Sequence, residues 1–211
     1  MSEAVPVVHV VDDDASFLVA LARLLKASGH AVQTYASAAD FLAKLDDGAG
    51  CVITDLRMPG MDGLDLQQAL VRRTNLLPVV FLTGEGDIPT TVRAMRQGAE
   101  DFLTKRAPKE DLLAAVAQAI ARNACLRAES ARRNALQARF LSLTSRELEI
   151  LRHVVSGRLN KQIAADLGIN ERTVKLHRTA ITTKLQVHSV AELTRLVQSA
   201  GLFDGAQANL P

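Results

Sequence analysis

The sequence predicts two domains of different class, an α/β domain with a parallel five-stranded sheet followed by an all-α domain of four helices. Three observations carry this prediction. Short apolar runs alternate with helical patterns through the first 121 residues, strand signals stop at about residue 122, and the charge balance changes sign there. Strands that alternate with helices pack as a parallel sheet covered on both faces.

Val7 to Val11 is a continuous apolar run, as expected of a strand buried on both faces. Phe17, Leu18, Leu21, Leu24 and Leu25 recur at helical spacing, and Ser28-Gly29-His30 ends that helix. Ala31 to Tyr35 is the second strand. Ser37 and Asp40 resemble a capping box opening a helix that carries Phe41, Leu42 and Leu45. Further strands are expected at Cys51 to Asp55, Pro78 to Thr83 and Asp101 to Thr104, with helices at about 62–73, 88–97 and 108–121.

Beyond that point, residues 123–141 are rich in Ala, Arg, Leu and Glu without Gly or Pro, and read as a helical linker. Thr144 and Glu147 make a capping box, with Leu143 and Leu148 placed to staple it. Helices follow at about 145–156, 160–167, 171–185 and 190–199, the second and third joined by Gly168-Ile169-Asn170. Residues 1–122, 123–141 and 142–201 are thus domain, linker and domain, and 202–211 a polar tail.

Composition narrows the function classes. The hydrophobic content is 48% with 3% aromatics, and no apolar run approaches the ~20 residues of a membrane span. Met1 to Asp14 lacks the basic flank of a signal peptide, so a cytoplasmic protein without membrane contact is expected. Two distant cysteines, Cys51 and Cys125, make neither a disulfide framework nor a metal site. Residues 1–121 hold 16 acids against 11 bases, a net −5, while 122–211 hold 7 against 14, a net +7. Only the second half is suited to a polyanion.

Ligands of open α/β sheets bind outside the C-terminal ends of the strands. Those ends carry Asp12 and Asp13, then Asp55, Thr83 and Lys105. Three carboxylates suit a hard divalent cation such as Mg²⁺, and a hydroxyl with an ammonium suits a phosphoryl group. Each residue also has a plain structural reading: Asp14 as a helix cap, Thr83 as a strand-end residue, Lys105 as a surface lysine. Their shared position at one edge favours the site.

These residues carry a resemblance. Val10-Val11-Asp12-Asp13-Asp14, Asp55-Leu56-Arg57-Met58-Pro59-Gly60-Met61-Asp62-Gly63, Phe81-Leu82-Thr83-Gly84 and Asp101-Phe102-Leu103-Thr104-Lys105 are similar to the receiver domain of two-component response regulators. The resemblance implies a flavodoxin-like (βα)5 fold in which Asp55 accepts a phosphoryl group from a sensor histidine kinase. It implies Mg²⁺ on Asp13, Asp55 and the Arg57 carbonyl, with Asp12 acting largely through water. Lys105 would pair with the phosphoryl group, Thr83 would swing towards it, and Phe102 would be the switch aromatic. Gly84 would leave access to Asp55 uncrowded. Homodimerisation on phosphorylation would use about 88–121. The family lysine usually precedes a cis-proline, whereas Lys105 precedes Arg106-Ala107-Pro108, so no cis bond is expected there. Pro108 is expected to start the fifth helix instead, with Glu110 and Asp111 in its first turn.

In the basic half, helices at 160–167 and 171–185 around a Gly-containing turn match a helix-turn-helix in spacing. Ile163, Ala164, Leu167, Val174, Ile181 and Leu185 are its inward positions. A small bundle with a solvated basic face would show the same pattern. Leu143 to Leu151, Asn160-Lys161-Gln162-Ile163-Ala164, Leu167-Gly168-Ile169, Thr173 to Arg178 and Lys184-Leu185 resemble the LuxR/NarL-type DNA-binding domain. The resemblance implies base contacts by Lys175 and Leu176, with Thr179 where a larger reader often stands. It assigns Asn160, Lys161, Thr173, His177, Arg178 and Lys184 mainly to the DNA backbone, on an operator of inverted half-sites, with RNA polymerase as a possible further partner. The two domains together, with Thr83-Gly84-Glu85-Gly86-Asp87-Ile88-Pro89, look most like the FixJ/StyR/TodT group. A phosphohydrolase using Asp55 would need a cap and general acid for which 121 residues leave no room. A relic receiver is opposed by the complete Asp12, Asp13, Asp55, Thr83 and Lys105 set.

Overall fold

The computed structural model describes residues 5–84 and 88–200. The tail at 202–211 and the Glu85-Gly86-Asp87 part of the loop after Thr83 lie outside the described residues. The chain divides into two compact units at 129/130.

The first unit is a parallel sheet of β1 (Val7–Val11), β2 (Ala31–Tyr35), β3 (Gly50–Thr54), β4 (Val79–Thr83) and β5 (Asp101–Thr104), in the order β2-β1-β3-β4-β5. Between them run α1 (Ala15–Ala27), α2 (Ala38–Lys44), α3 (Gly63–Arg72) and α4 (Ile88–Arg96). Alternate strand residues feed two cores. Val8, Val10, Cys51, Ile53, Val80 and Leu82 pack with α1 and α5 (Lys109–Leu141), whereas Val11, Val52, Val79 and Phe81 pack with α2, α3 and α4. The near-continuous apolar strands follow from this double burial. Burial also pushes the Cys51 thiol up to about 12, so it is an inert core residue.

Residues 123–141 are helical, as expected, and continue the last helix of the first unit. Helix α5 runs unbroken from Lys109 to Leu141, because no Gly or Pro interrupts its Ala- and Arg-rich sequence. Its first half is held by more than the apolar stripe of Leu112, Ala115, Val116 and Ala119. Asn123, 1% exposed, accepts a hydrogen bond from the Gly50 N–H at 3.0 Å and donates to the Leu76 carbonyl at 2.7 Å. Arg127 donates to the Asp47 carbonyl at 2.5 Å. Residues 123–127 are therefore bonded to the loops that enter β3 and β4.

The second unit comprises the end of α5 with α6 (Ser145–Val155), α7 (Asn160–Leu167), α8 (Glu171–Leu185) and α9 (Val190–Ser199). Its core is Phe140, Leu143, Ile150, Leu151, Ile163, Val174, Ile181, Leu185 and Leu193. The Thr144–Glu147 capping box forms in both directions, at 3.2 Å and 2.7 Å. At the start of α9, Ser189 accepts from the Glu192 N–H, and the Glu192 carboxylate accepts from the His188 N–H. Between α7 and α8, Gly168 takes a left-handed conformation (φ 63°) that closes one helix, and the Asn170 side chain accepts from the Thr173 N–H to open the next.

Candidate functional site

The strand register assembles the carboxylates. Val11 lies opposite Thr54 where β1 and β3 run side by side, so Asp12 and Asp55 leave the sheet together. This is the point where the strand order reverses, the usual ligand crevice of such sheets. The Asp55 N–H donates to the Val11 carbonyl at 3.0 Å, fixing the pair. Across the other side, Thr83 is level with Thr104, and the Lys105 N–H donates to the Thr83 carbonyl at 2.7 Å.

Lys105 is the centre of the cluster. Its Nζ lies 2.6 Å from Asp12 Oδ2 and 2.9 Å from Asp55 Oδ2, and 4.4 Å from the centroid of the Phe17 ring. Asp55 Oδ1 accepts from the Leu56 N–H at 2.6 Å, and Asp12 Oδ1 from the Asp14 N–H at 2.9 Å. Burial raises the Asp12 carboxyl above its ordinary value despite the lysine and the Asp14 N–H, which pull it down. Burial alone would lower Lys105, but hydrogen bonds to the two aspartates outweigh it and hold the ammonium above its usual value. Asp13 is exposed, and oxygens of Asp12, Asp13 and Asp55 lie within 4.8 Å of one another. Such a donor set suits a hard cation that keeps several waters.

The loop after Asp55 is shaped by one glycine. A Cβ on Gly63 would stand 2.3 Å from the Asp55 carbonyl oxygen and 2.9 Å from the Phe81 ring, so only glycine lets α3 start there. Leu56 and Met58 turn into the core and anchor the loop. Gly84 has open space around it. Phe102 is half-buried, its ring 5.9 Å from that of Phe81. Thr83 is buried. All peptide bonds among the described residues are trans, including the one after Lys105. Asp14 caps α1, accepting from Ser16 and Phe17 N–H groups.

On α8, Arg172, Lys175, Leu176 and Thr179 are exposed and fall at positions i, i+3, i+4 and i+7, one stripe of the helix. Lys161 on α7 is exposed as well. Arg178 donates to Asn160 Oδ1 at 2.7 Å, tying α8 to α7, while the Thr173 hydroxyl donates to Asn170 within the cap of α8. His177 is half-buried. Lys184 departs most from expectation. Its Nζ donates to buried Glu147 at 2.7 Å and to the Ser142 carbonyl at 3.1 Å, so its charge neutralises a carboxylate inside the domain.

Sequence reasoning missed Phe17 as the ring beneath Lys105 and Glu147 as the partner of Lys184. Phe17 reads as one more apolar helix position. Glu147 sits in the recognisable capping box, but nothing local links it to a lysine 37 residues away.

A parallel sheet with carboxylates and a lysine at its switch point, joined to a helix-turn-helix, defines a signal-receiving regulator with a DNA-binding output. Comparison with known proteins gives the family. Residues 8–117 match the response regulator receiver domain, and 141–197 the bacterial regulatory proteins of the luxR family. The chain is 40% identical to the response regulator protein TodT of Pseudomonas putida F1, covering 94% of this chain and 88% of that one. It is 41% identical to the transcriptional regulatory protein FixJ of Azorhizobium caulinodans, over 96% of both. The solved response regulator StyR superposes with a TM-score of 0.84 at 44% identity, over 93% of this chain and all of that one. The chain belongs to the two-component response regulators that carry a LuxR-type DNA-binding domain. No described helix is long and apolar enough to cross a membrane.

Proposed function

We propose that Asp55 accepts a phosphoryl group from a sensor histidine kinase, and that this controls dimerisation and sequence-specific DNA binding. The observation that carries the reading is the Lys105 ammonium bridging Asp12 and Asp55 beside Asp13. It is an acidic pocket with a single ammonium at the switch point of the sheet, a setting for a divalent cation and a phosphoryl group together. In the transfer, an Asp55 oxygen attacks the phosphorus, the phosphorus–nitrogen bond of the donor phosphohistidine breaks, and the imidazole, having taken a proton from solvent, leaves as the neutral ring. Asp12, Asp13 and Asp55 would hold Mg²⁺, with the Arg57 carbonyl as the further ligand the family resemblance implies, and the ion when bound would neutralise the phosphoryl oxygens. Lys105 then exchanges a carboxylate for a phosphoryl oxygen, its ammonium staying over the Phe17 ring. Thr83 and Phe102, on adjacent strands, carry the change outward.

The output reading assigns residues 1–122 to the receiver, 123–141 to the linker and 142–201 to the DNA-binding domain. The exposed stripe of α8 supports Lys175, Leu176 and Thr179 as base readers, to which Arg172 is added. Lys161, Asn160, Thr173, His177 and Arg178 serve the phosphates. Lys184 leaves that set because it is committed to Glu147. The dimer face is 88–121, the operator a pair of inverted half-sites, and the compartment the cytoplasm, where RNA polymerase is available.

The test is incubation with acetyl phosphate and Mg²⁺ followed by intact-mass measurement. One phosphoryl group per chain is expected, absent from Asp55→Asn, together with a mass shift to dimer and tighter binding to promoter DNA. Continuous phosphate release over many turnovers, or DNA binding indifferent to the donor, would overturn the reading.

A further inference from the structure

To meet a phosphoryl group, the Lys105 ammonium must be held in place at the end of a flexible stem. Its backbone is fixed, because the Lys105 N–H donates to the Thr83 carbonyl at 2.7 Å. The ammonium itself makes three contacts. Asp12 Oδ2 lies at 2.6 Å, Asp55 Oδ2 at 2.9 Å, and the centroid of the Phe17 ring at 4.4 Å. The first two are with groups that the reaction changes: Asp55 becomes an acyl phosphate, and Asp12 turns to the cation. Of the three, only the ring is the same before, during and after transfer.

Local structure places that ring. Asp14 caps α1 and accepts from the Phe17 N–H at 3.1 Å, which sets Phe17 in the first turn. A helical side chain leans towards the N-terminus of its helix, here towards the strand ends that carry Asp12 and Asp55. The ring is half-buried and packs against the core cluster that includes Leu18, Leu21 and Leu82. An aromatic face attracts a cation within about 6 Å of its centroid, whereas an aliphatic side chain supplies only an apolar wall. We propose, on the reading of Asp55 as phosphoryl acceptor, that Phe17 is a positioning residue for the transfer. Its ring keeps the Lys105 ammonium aimed at the phosphoryl oxygens once Asp12 and Asp55 are otherwise engaged. In the resting site two ion pairs hold the ammonium with or without the ring. In the transition state those pairs are given up, so loss of the ring weakens that state more than the resting one, and the rate falls.

The test is phosphoryl incorporation into the full chain from acetyl phosphate at saturating Mg²⁺, followed by intact mass. An Asp55 oxygen bonds to phosphorus as acetate leaves with the bridging oxygen. Phe17→Leu is expected to slow incorporation by roughly threefold, the worth of a cation–π contact. Phe17→Tyr keeps the ring face and is expected to retain the wild-type rate. In a Lys105→Met background no ammonium remains to be positioned, and Phe17→Leu is expected to have no further effect. Mg²⁺ affinity by titration calorimetry is expected to be equal in wild type and Phe17→Leu, whereas a distorted start of α1 would lower it. If Lys105→Met takes up phosphoryl too slowly to follow, Phe17→Tyr and the Mg²⁺ affinity still decide. A Phe17→Leu rate equal to wild type would overturn this inference alone. So would a Phe17→Tyr rate as low as that of Phe17→Leu, a Phe17→Leu effect that persists in Lys105→Met, or a reduced Mg²⁺ affinity. A wild-type chain that takes up no phosphoryl group would overturn the functional reading with it.

Discussion

Replacing Lys184 by methionine separates a structural lysine from a phosphate-binding one. Glu147 is 5% exposed, and Lys184 Nζ is 2.7 Å from its Oε2. Methionine keeps most of the aliphatic stem but strips the carboxylate of its counter-charge. Removing one partner of a buried pair costs about 3–5 kcal/mol. The Lys184 side chain is 34% exposed, so solvent already screens part of the pair, and Glu147 keeps the Thr144 N–H. About 2 kcal/mol is the discounted figure. In a domain of this size that lowers the melting temperature by about 8–16 °C.

The assay exploits composition. The chain has no tryptophan and one tyrosine, Tyr35, which is in the receiver. Tyrosine fluorescence therefore reports the receiver, while far-UV circular dichroism also sees the helical domain. Lys184→Met should lower only the transition that is silent in fluorescence. The effect depends on pH. Burial raises the Glu147 carboxyl, but Lys184 and Thr144 more than reverse this and hold it below its ordinary value in the folded state. Its stabilisation is complete above the unfolded value and is lost as pH falls through the lower folded one. The gap between wild type and variant should be full near neutrality and close in acid. An unchanged melting temperature, with DNA affinity reduced equally for all sequences, would refute this and return Lys184 to the phosphate set.

Other predictions follow from single contacts. Gly63→Ala forces a Cβ against the Asp55 carbonyl, so a loss of about 1–3 kcal/mol by Tyr35-monitored unfolding and slower phosphoryl incorporation are expected. Asn123→Ala strands the Gly50 N–H and the Leu76 carbonyl, so the receiver should lose about 2–4 kcal/mol in the same measurement. Lys175→Ala should weaken specific over non-specific DNA by about 1–3 kcal/mol in salt-matched titrations, without changing the melting curve. Asp12→Asn keeps the fold but should reduce Mg²⁺ affinity, measured by titration calorimetry.

What was readable in the primary structure was what depends on local pattern. Helices α7, α8 and α9 fall where their periodicity, turn and capping residues placed them, and the strands where apolar runs placed them. Asp12, Asp55, Thr83 and Lys105 were recognisable because each ends a strand, and parallel topology brings strand ends to one edge. Where the first unit stops along the fifth helix was not readable, since a helix-favouring sequence does not mark a domain boundary. Tertiary structure alone decided how charges pair. It placed Lys105 between two aspartates over Phe17, and gave Lys184 to Glu147 rather than to solvent. Charge pairing and burial depend on distances between residues remote in sequence, which no local pattern encodes. Periodicity and caps act within a few residues, and so they are written in the chain.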